Sequence, residues 1–140
     1  MKNNINLILN GDQYKCYQIA EFLGCNETII YDWRDERTLP SFDNMIKLAD
    51  YFSVSIDYIL GRSDNDAECH TKELVPFSNQ LKSILDYKHI SKYKLFKDCK
   101  LSNSFKVRWF NQGVKPNISN LLKVADYLNI SMDELMGRII

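Results

Sequence analysis

Apolar residues along this chain recur at helical spacing, in short runs separated by polar turns. Ile5, Ile8 and Leu9 stand at i, i+3 and i+4 and predict a first short helix, ended by Asn10-Gly11-Asp12. A second is expected from about Cys16 to Leu23, with Ile19, Ala20 and Leu23 inward and Gly24 as its C-cap. Asn26 suits the cap of a third helix, whose Ile29, Ile30 and Trp33 share one face. Pro40 cannot continue that helix. Phe42, Met45, Ile46, Leu48 and Ala49 then form the stripe of a fourth. Ser55 caps a fifth, with Ile59 and Leu60 inward before Gly61. The stretch from Ser63 to Glu73 is polar and reads as a linker. Helical spacing resumes after Pro76 and Phe77, with Ser78 as the expected N-cap. Later helix starts fall near Ser91, Ser102, Asn117 or Ile118, and Ser131.

The second series repeats the first. The shift that lays Trp33 on Trp109 also places Pro40 on Pro116, Asn44 on Asn120 and Ala49-Asp50-Tyr51 on Ala125-Asp126-Tyr127. Ser55, Asp57 and Gly61-Arg62 meet Ser131, Asp133 and Gly137-Arg138 without a gap. From Trp33 to Arg62 there are 11 identities in 30 positions. The reading is an internal duplication: a first domain at 1–63, a linker at 64–75 and a second domain at 76–140. Recurrence of Trp33, Trp109, Tyr51 and Tyr127 at equivalent core-face places favours packing over base stacking.

Charge separates the two halves. The whole chain is neutral, with 18 basic and 18 acidic residues, which taken alone argues against a nucleic-acid binder. Residues 1–75, however, hold 7 basic and 13 acidic residues, and residues 76–140 hold 11 and 5. The neutral total is therefore the sum of −6 and +6. Cys16, Cys25, Cys69 and Cys99 form no C-x-x-C pair, and Cys69-His70 lacks nearby partners for a tetrahedral metal site. No metal or cofactor is expected. No apolar run approaches the roughly 18 residues of a membrane span, and no secretory leader follows Lys2. A cytoplasmic protein without a membrane partner is expected. His70 and His89 stand at no catalytic motif spacing, and there is no Gly-rich phosphate loop, so an enzyme is not expected.

Ile19-Ala20-Glu21-Phe22-Leu23-Gly24-Cys25-Asn26-Glu27-Thr28-Ile29-Ile30-Tyr31-Asp32-Trp33, followed by Leu39-Pro40-Ser41, resembles the Cro/XRE-type helix-turn-helix of phage repressors. Leu48 to Gly61 resembles the closing helices of that family. Leu95-Phe96, Leu101 to Phe105, Trp109, Lys115-Pro116 and Leu121 to Gly137 repeat the pattern. The resemblance implies an all-α chain of two tandem lambda-repressor-like domains, each of four to five short helices. It further implies that the third helix of a domain enters the major groove, which is about 12 Å wide and admits one α-helix.

On that frame the second domain offers Ser102, Asn103, Ser104, Val107, Arg108 and Asn111 on its third helix, with no acidic residue. Asn can pair adenine and Arg can pair guanine, each by two hydrogen bonds. Lys92, Lys94 and Lys115 are candidate phosphate contacts. Lys106 departs from the pattern, since it falls where the first domain has Ile30. Either its stem packs and its ammonium reaches water, or the helix is rotated slightly. In the first domain the equivalent candidates are Asn26, Glu27, Thr28, Tyr31 and Asp32, beside Asp35 and Glu36. Carboxylates repel phosphates, although Glu can accept from cytosine. Tyr31 is turned away from Ile30 and Trp33. The expected function is a sequence-specific transcriptional regulator that binds double-stranded DNA mainly through its second domain. The acidic first domain would supply a second half-site, a homodimer contact or a site for a regulatory protein. The alternative is an antirepressor-like protein whose folds bind a partner protein instead of DNA.

Overall fold

The computed structural model of the protein describes residues 3–9 and 13–140. The expected turn at Asn10-Gly11-Asp12 lies outside them. The chain divides into two compact units, Met1–His70 and Thr71–Ile140. The first contains α1 (Ile5–Leu9), α2 (Gln13–Leu23), α3 (Glu27–Arg34), α4 (Phe42–Phe52) and α5 (Ile56–Ile59). The second contains β1 (Glu73–Leu74), α6 (Phe77–Lys88), α7 (Lys92–Asp98), α8 (Asn103–Phe110), α9 (Ile118–Leu128), α10 (Met132–Leu135) and β2 (Arg138–Ile139).

The shift read from the sequence recurs in the elements. The one that lays Trp33 on Trp109 also lays both ends of α3, α4 and α5 on those of α8, α9 and α10. Their starts are set by the same chemistry. The Ser41 and Asn117 side chains accept backbone N–H groups at the starts of α4 and α9, as do Ser55 and Ser131 for α5 and α10. Each such cap is worth about 1 kcal/mol. Ser53 and Asn129 close α4 and α9 in the left-handed conformation. The tight turn after α2 has Gly24 at φ +70, and the turn after α7 has Lys100 at φ +56. Glycine takes that conformation without a Cβ clash, whereas lysine does not.

Buried apolar side chains knit each unit. Ile30 and Trp33 of α3 are buried, as are Ile19 of α2 and Met45 and Leu48 of α4. In the second unit Trp109 of α8 is buried among rings, with centroids 5.9 Å from Phe77, 5.2 Å from Phe96 and 5.7 Å from Phe105. Behind this core lies an ion pair that recurs at equivalent positions of the two units. Arg62 meets Asp57 at 2.7 Å, and Arg138 meets Asp133 at 2.8 Å. Arg138 is the more deeply buried, and its Nε donates to Thr71 Oγ1. In the first unit, Asn3 caps α1 by accepting from the Ile5 N–H and donates to the Trp33 carbonyl. Asn4 ties α1 to α5 through the Tyr58 and Ile59 carbonyls.

Several details differ from the sequence reading. α2 begins at Gln13, ahead of Cys16. Pro76, not Ser78, precedes α6, because its carbonyl takes the first helical bond from the Gln80 N–H and Ser78 lies within the helix. Ile29 is 38% exposed while Ile30 is buried, since adjacent helical residues point about 100° apart. Tyr51 is also 38% exposed, paired with Phe22 at 5.1 Å on the surface rather than packed in the core. The polar stretch 64–75 is not a linker throughout: Glu73 and Leu74 pair antiparallel with Ile139 and Arg138. That ladder needs a glycine, because a Cβ on Gly137 would lie 2.2 Å from the Val75 carbonyl oxygen.

Candidate nucleic-acid interface

α7, a short turn and α8 place the second unit's polar candidates together. Ser91 caps α7 by accepting from the Lys94 N–H at 3.0 Å. Leu95 and Phe96 bury the inner face of α7, which leaves Lys94 and Lys97 outward. Ser102 caps α8 by accepting from the Ser104 N–H, and its Oγ also lies 3.0 Å from Ser104 Oγ. Trp109 faces inward from α8, so Asn103, Ser104, Val107 and Arg108 fall on its exposed side. Asn111 is the exposed C-cap, and Lys115 is exposed in the following loop.

The anomaly at Lys106 has a packing explanation. Phe105, one residue earlier, stacks on Trp109 with rings 29° apart. It fills the place beside the tryptophan, and Lys106 is left half-buried. Neither Lys106 nor Arg108 pairs with a carboxylate among the described residues. Arg108 instead lies 5.8 Å from the Phe105 ring centroid. Lys92 is half-buried with its ammonium 4.0 Å from the Phe110 ring centroid. Lys94 reaches Asp98 at 3.4 Å, an exposed pair of the kind that contributes little. Asp98 also accepts from the Tyr127 hydroxyl. That bond holds the Asp98 carboxyl below its usual range and pushes the Tyr127 phenol up to about 12.

The equivalent surface of the first unit is internally satisfied. Asn26 accepts from the Thr28 N–H as the cap of α3. The Tyr31 hydroxyl donates to Glu27 at 2.7 Å, which raises the phenol pKa, and Arg34 covers the ring at 4.8 Å. Arg34 is held by Asp35, whose carboxyl is lowered by that bond. Arg37 bridges Asp32 and Asp35 at 3.0 and 3.1 Å. Glu36 accepts from the Asn3 backbone N–H and so ties Asn3 to the turn after α3. Asn26, Glu27, Thr28, Tyr31 and Asp32 thus lie together, in a lattice that keeps an acidic surplus and in which both arginines are committed. A count of charges does not show that both arginines are held by carboxylates. The i, i+4 spacing of Glu27 and Tyr31 was the one legible signal.

Among the described residues no helix is long and apolar enough to cross a membrane, and no three metal-ligating side chains come together. No curated protein and no solved structure matches the chain. The family model of the Cro/C1-type helix-turn-helix (HTH) DNA-binding domain matches residues 80–139, a span that contains α7, α8, α9 and α10. Residues 80–139 are therefore a Cro/C1-type HTH domain, which points to DNA binding and transcription regulation.

Proposed function

We propose that the chain is a sequence-specific transcriptional regulator that contacts double-stranded DNA chiefly through its second unit. One observation carries the reading: α8 presents Asn103, Ser104, Val107 and Arg108 on one face, with no acid on the helix and no carboxylate holding Arg108 among the described residues. Asn103 and Arg108 are the base-reading pair, since amide and guanidinium each match one purine edge by two bonds. Ser102 and Ser104 at the helix start, with Asn111 beyond its end, border that face. Lys92, Lys94 and Lys115 supply phosphate contacts, and the Lys94–Asp98 pair opens at small cost when a phosphate competes.

The first unit, by this reading, is a second copy of the same helical frame turned to another use. Its α3 surface keeps Arg34 and Arg37 tied to Asp32 and Asp35, which leaves little cationic charge to displace counterions from DNA. A homodimer contact or a basic regulatory protein suits that acidic surface better than a phosphate backbone does. DNA selected from a random pool by the intact chain provides the test. Arg108→Ala is expected to weaken binding about 10- to 100-fold and to relax one base position, as loss of a bidentate base contact does. Arg34→Ala with Arg37→Ala is expected to leave affinity within about twofold, as for an uninvolved surface. Unchanged preference in the first variant, or a large loss in the second, refutes the assignment.

A further inference from the structure

The ammonium of Lys92 sits 4.0 Å from the centroid of the Phe110 ring. Lys92 opens α7 and Phe110 closes α8, so this contact joins the two helices at a point far from the turn between them. Phe110 is not a loose surface ring. It packs 6.5 Å from Phe96, which is buried and lies 5.2 Å from the buried Trp109. The lysine therefore rests on a platform fixed by the core.

The position of that platform along α8 matters. Asn103, Val107 and Phe110 stand at i, i+4 and i+7 and line one stripe of the helix. At about 1.5 Å per residue, Phe110 lies roughly 10 Å along the axis from Asn103. The major groove is about 12 Å wide. A helix that places Asn103 against base edges thus carries Phe110, and the cation above it, toward the groove wall where phosphates lie. An unrestrained lysine loses much of its rotamer freedom when it is fixed at one phosphate. Contact with a ring face restricts those rotamers before DNA arrives and leaves the ammonium N–H groups on the outer side open to an anion.

We propose that Phe110 is a positioning residue for DNA: its ring holds the Lys92 ammonium in place to receive one backbone phosphate beside the groove that α8 enters. This rests on the DNA-binding reading of the second unit. The test uses the intact chain and a duplex selected from a random pool, with binding measured from 50 to 300 mM salt (about the range in which phosphate contacts are resolved). Lys92→Ala is expected to lower the slope of log K against log salt by about 0.9, one phosphate. Phe110→Leu is expected to reproduce most of that change in slope and to weaken binding about threefold, the size of an exposed cation–π contact. Phe110→Tyr keeps a ring face and is expected to bind as the parent does. The double variant Lys92→Ala/Phe110→Leu is expected to bind no more weakly than Lys92→Ala alone.

A second readout needs no DNA and no leucine variant. The ε-methylene protons of Lys92 should show an upfield ring-current shift by NMR in the parent and in Phe110→Tyr. Parent binding with a normal salt slope, combined with additive losses in the double variant or an unshifted Lys92, overturns this inference and leaves the DNA reading standing. Absence of salt-dependent binding by the parent overturns both.

Discussion

Asp133→Asn is the sharpest perturbation of the frame that carries α8. Asp133 binds Arg138 at 2.8 Å, and the arginine side chain is 0% exposed. Removing one partner of a buried pair strands the other charge and costs about 3–5 kcal/mol. Asparagine still offers an oxygen to the guanidinium, so the expected cost is near the lower end, about 3 kcal/mol. A domain of this size has roughly 3.5–10 kcal/mol of total stability, so the second unit should lose about 30% or more of its margin. Strand β2 should loosen first, because Arg138 also holds Thr71 beside β1. The equivalent change in the first unit, Asp57→Asn, is expected to cost only about 1–2 kcal/mol. There the pair is 15% and 16% exposed, so water solvates what the substitution uncovers. Hydrogen exchange of the intact chain under increasing denaturant separates the two, since peptides report each unit independently. Equal costs in the two units, or a loss below about 1 kcal/mol for Asp133→Asn, would refute the reasoning from burial. As a control, Asp133→Leu with Arg138→Met should cost less than Asp133→Asn alone, because no charge is left behind.

Two further outcomes follow from local geometry. Lys100 occupies a left-handed position at φ +56 where the first unit has Gly24, so Lys100→Gly should relieve strain of about 1–2 kcal/mol, partly offset by unfolded-chain entropy. A rise in Tm of a few degrees for the second unit is expected, and a fall would show that the turn is unstrained. The phenol of Tyr127 is pushed up to about 12 by its bond to Asp98. A raised pKa means the bond stabilises the fold fully below the ordinary tyrosine value near 10 and is lost as pH rises through about 12. Ultraviolet titration of the eight tyrosines should show a component ionising near 12 that is lost in Tyr127→Phe, while Tyr31 still ionises later than an ordinary phenol. A parent protein whose tyrosines all ionise near 10 would contradict it.

How much of this was legible in the sequence depends on whether a feature is carried by period or by pairing. The caps Ser55 and Ser131, the helix start near Asn117, the core face of α4 and the constant shift between the two series all follow from short-range pattern, whereas the Ser41 cap was not read from it. The structure places these elements where the pattern does. The β1–β2 ladder was illegible because two residues per strand make no alternation. Its one trace was Gly137, whose reason lies in the approach of Val75, distant in the sequence. The exposed face of α8 was legible only up to the doubt over Lys106. Nothing in helical spacing says that Phe105 will take the place beside Trp109. The charge lattice around α3 was the largest omission: Arg37 meets Asp32 across a turn whose shape depends on Glu36 at φ +63.

That lattice changes the meaning of the neutral composition. Net charge counts cations, whereas counterion release requires cations that are not already paired. Both arginines of the α3 region are committed to carboxylates, while Arg108 and Lys106 of α8 are not, among the described residues. The acidic outer face of α3 burdens its frame little, because most side chains that hold that frame lie elsewhere. The caps, the Arg62–Asp57 pair and the buried Trp33 do not depend on the outer face. A frame held in this way lets the outer surface of α3 vary without unfolding the unit. The two units match most closely from Pro40 to Arg62 and from Pro116 to Arg138, whereas α3 and α8 share only the tryptophan. When Trp33 is laid on Trp109, Tyr31 stands opposite Val107 and Asp32 opposite Arg108. Side chains tied into the α3 lattice thus meet exposed ones on α8 that are free of carboxylates among the described residues.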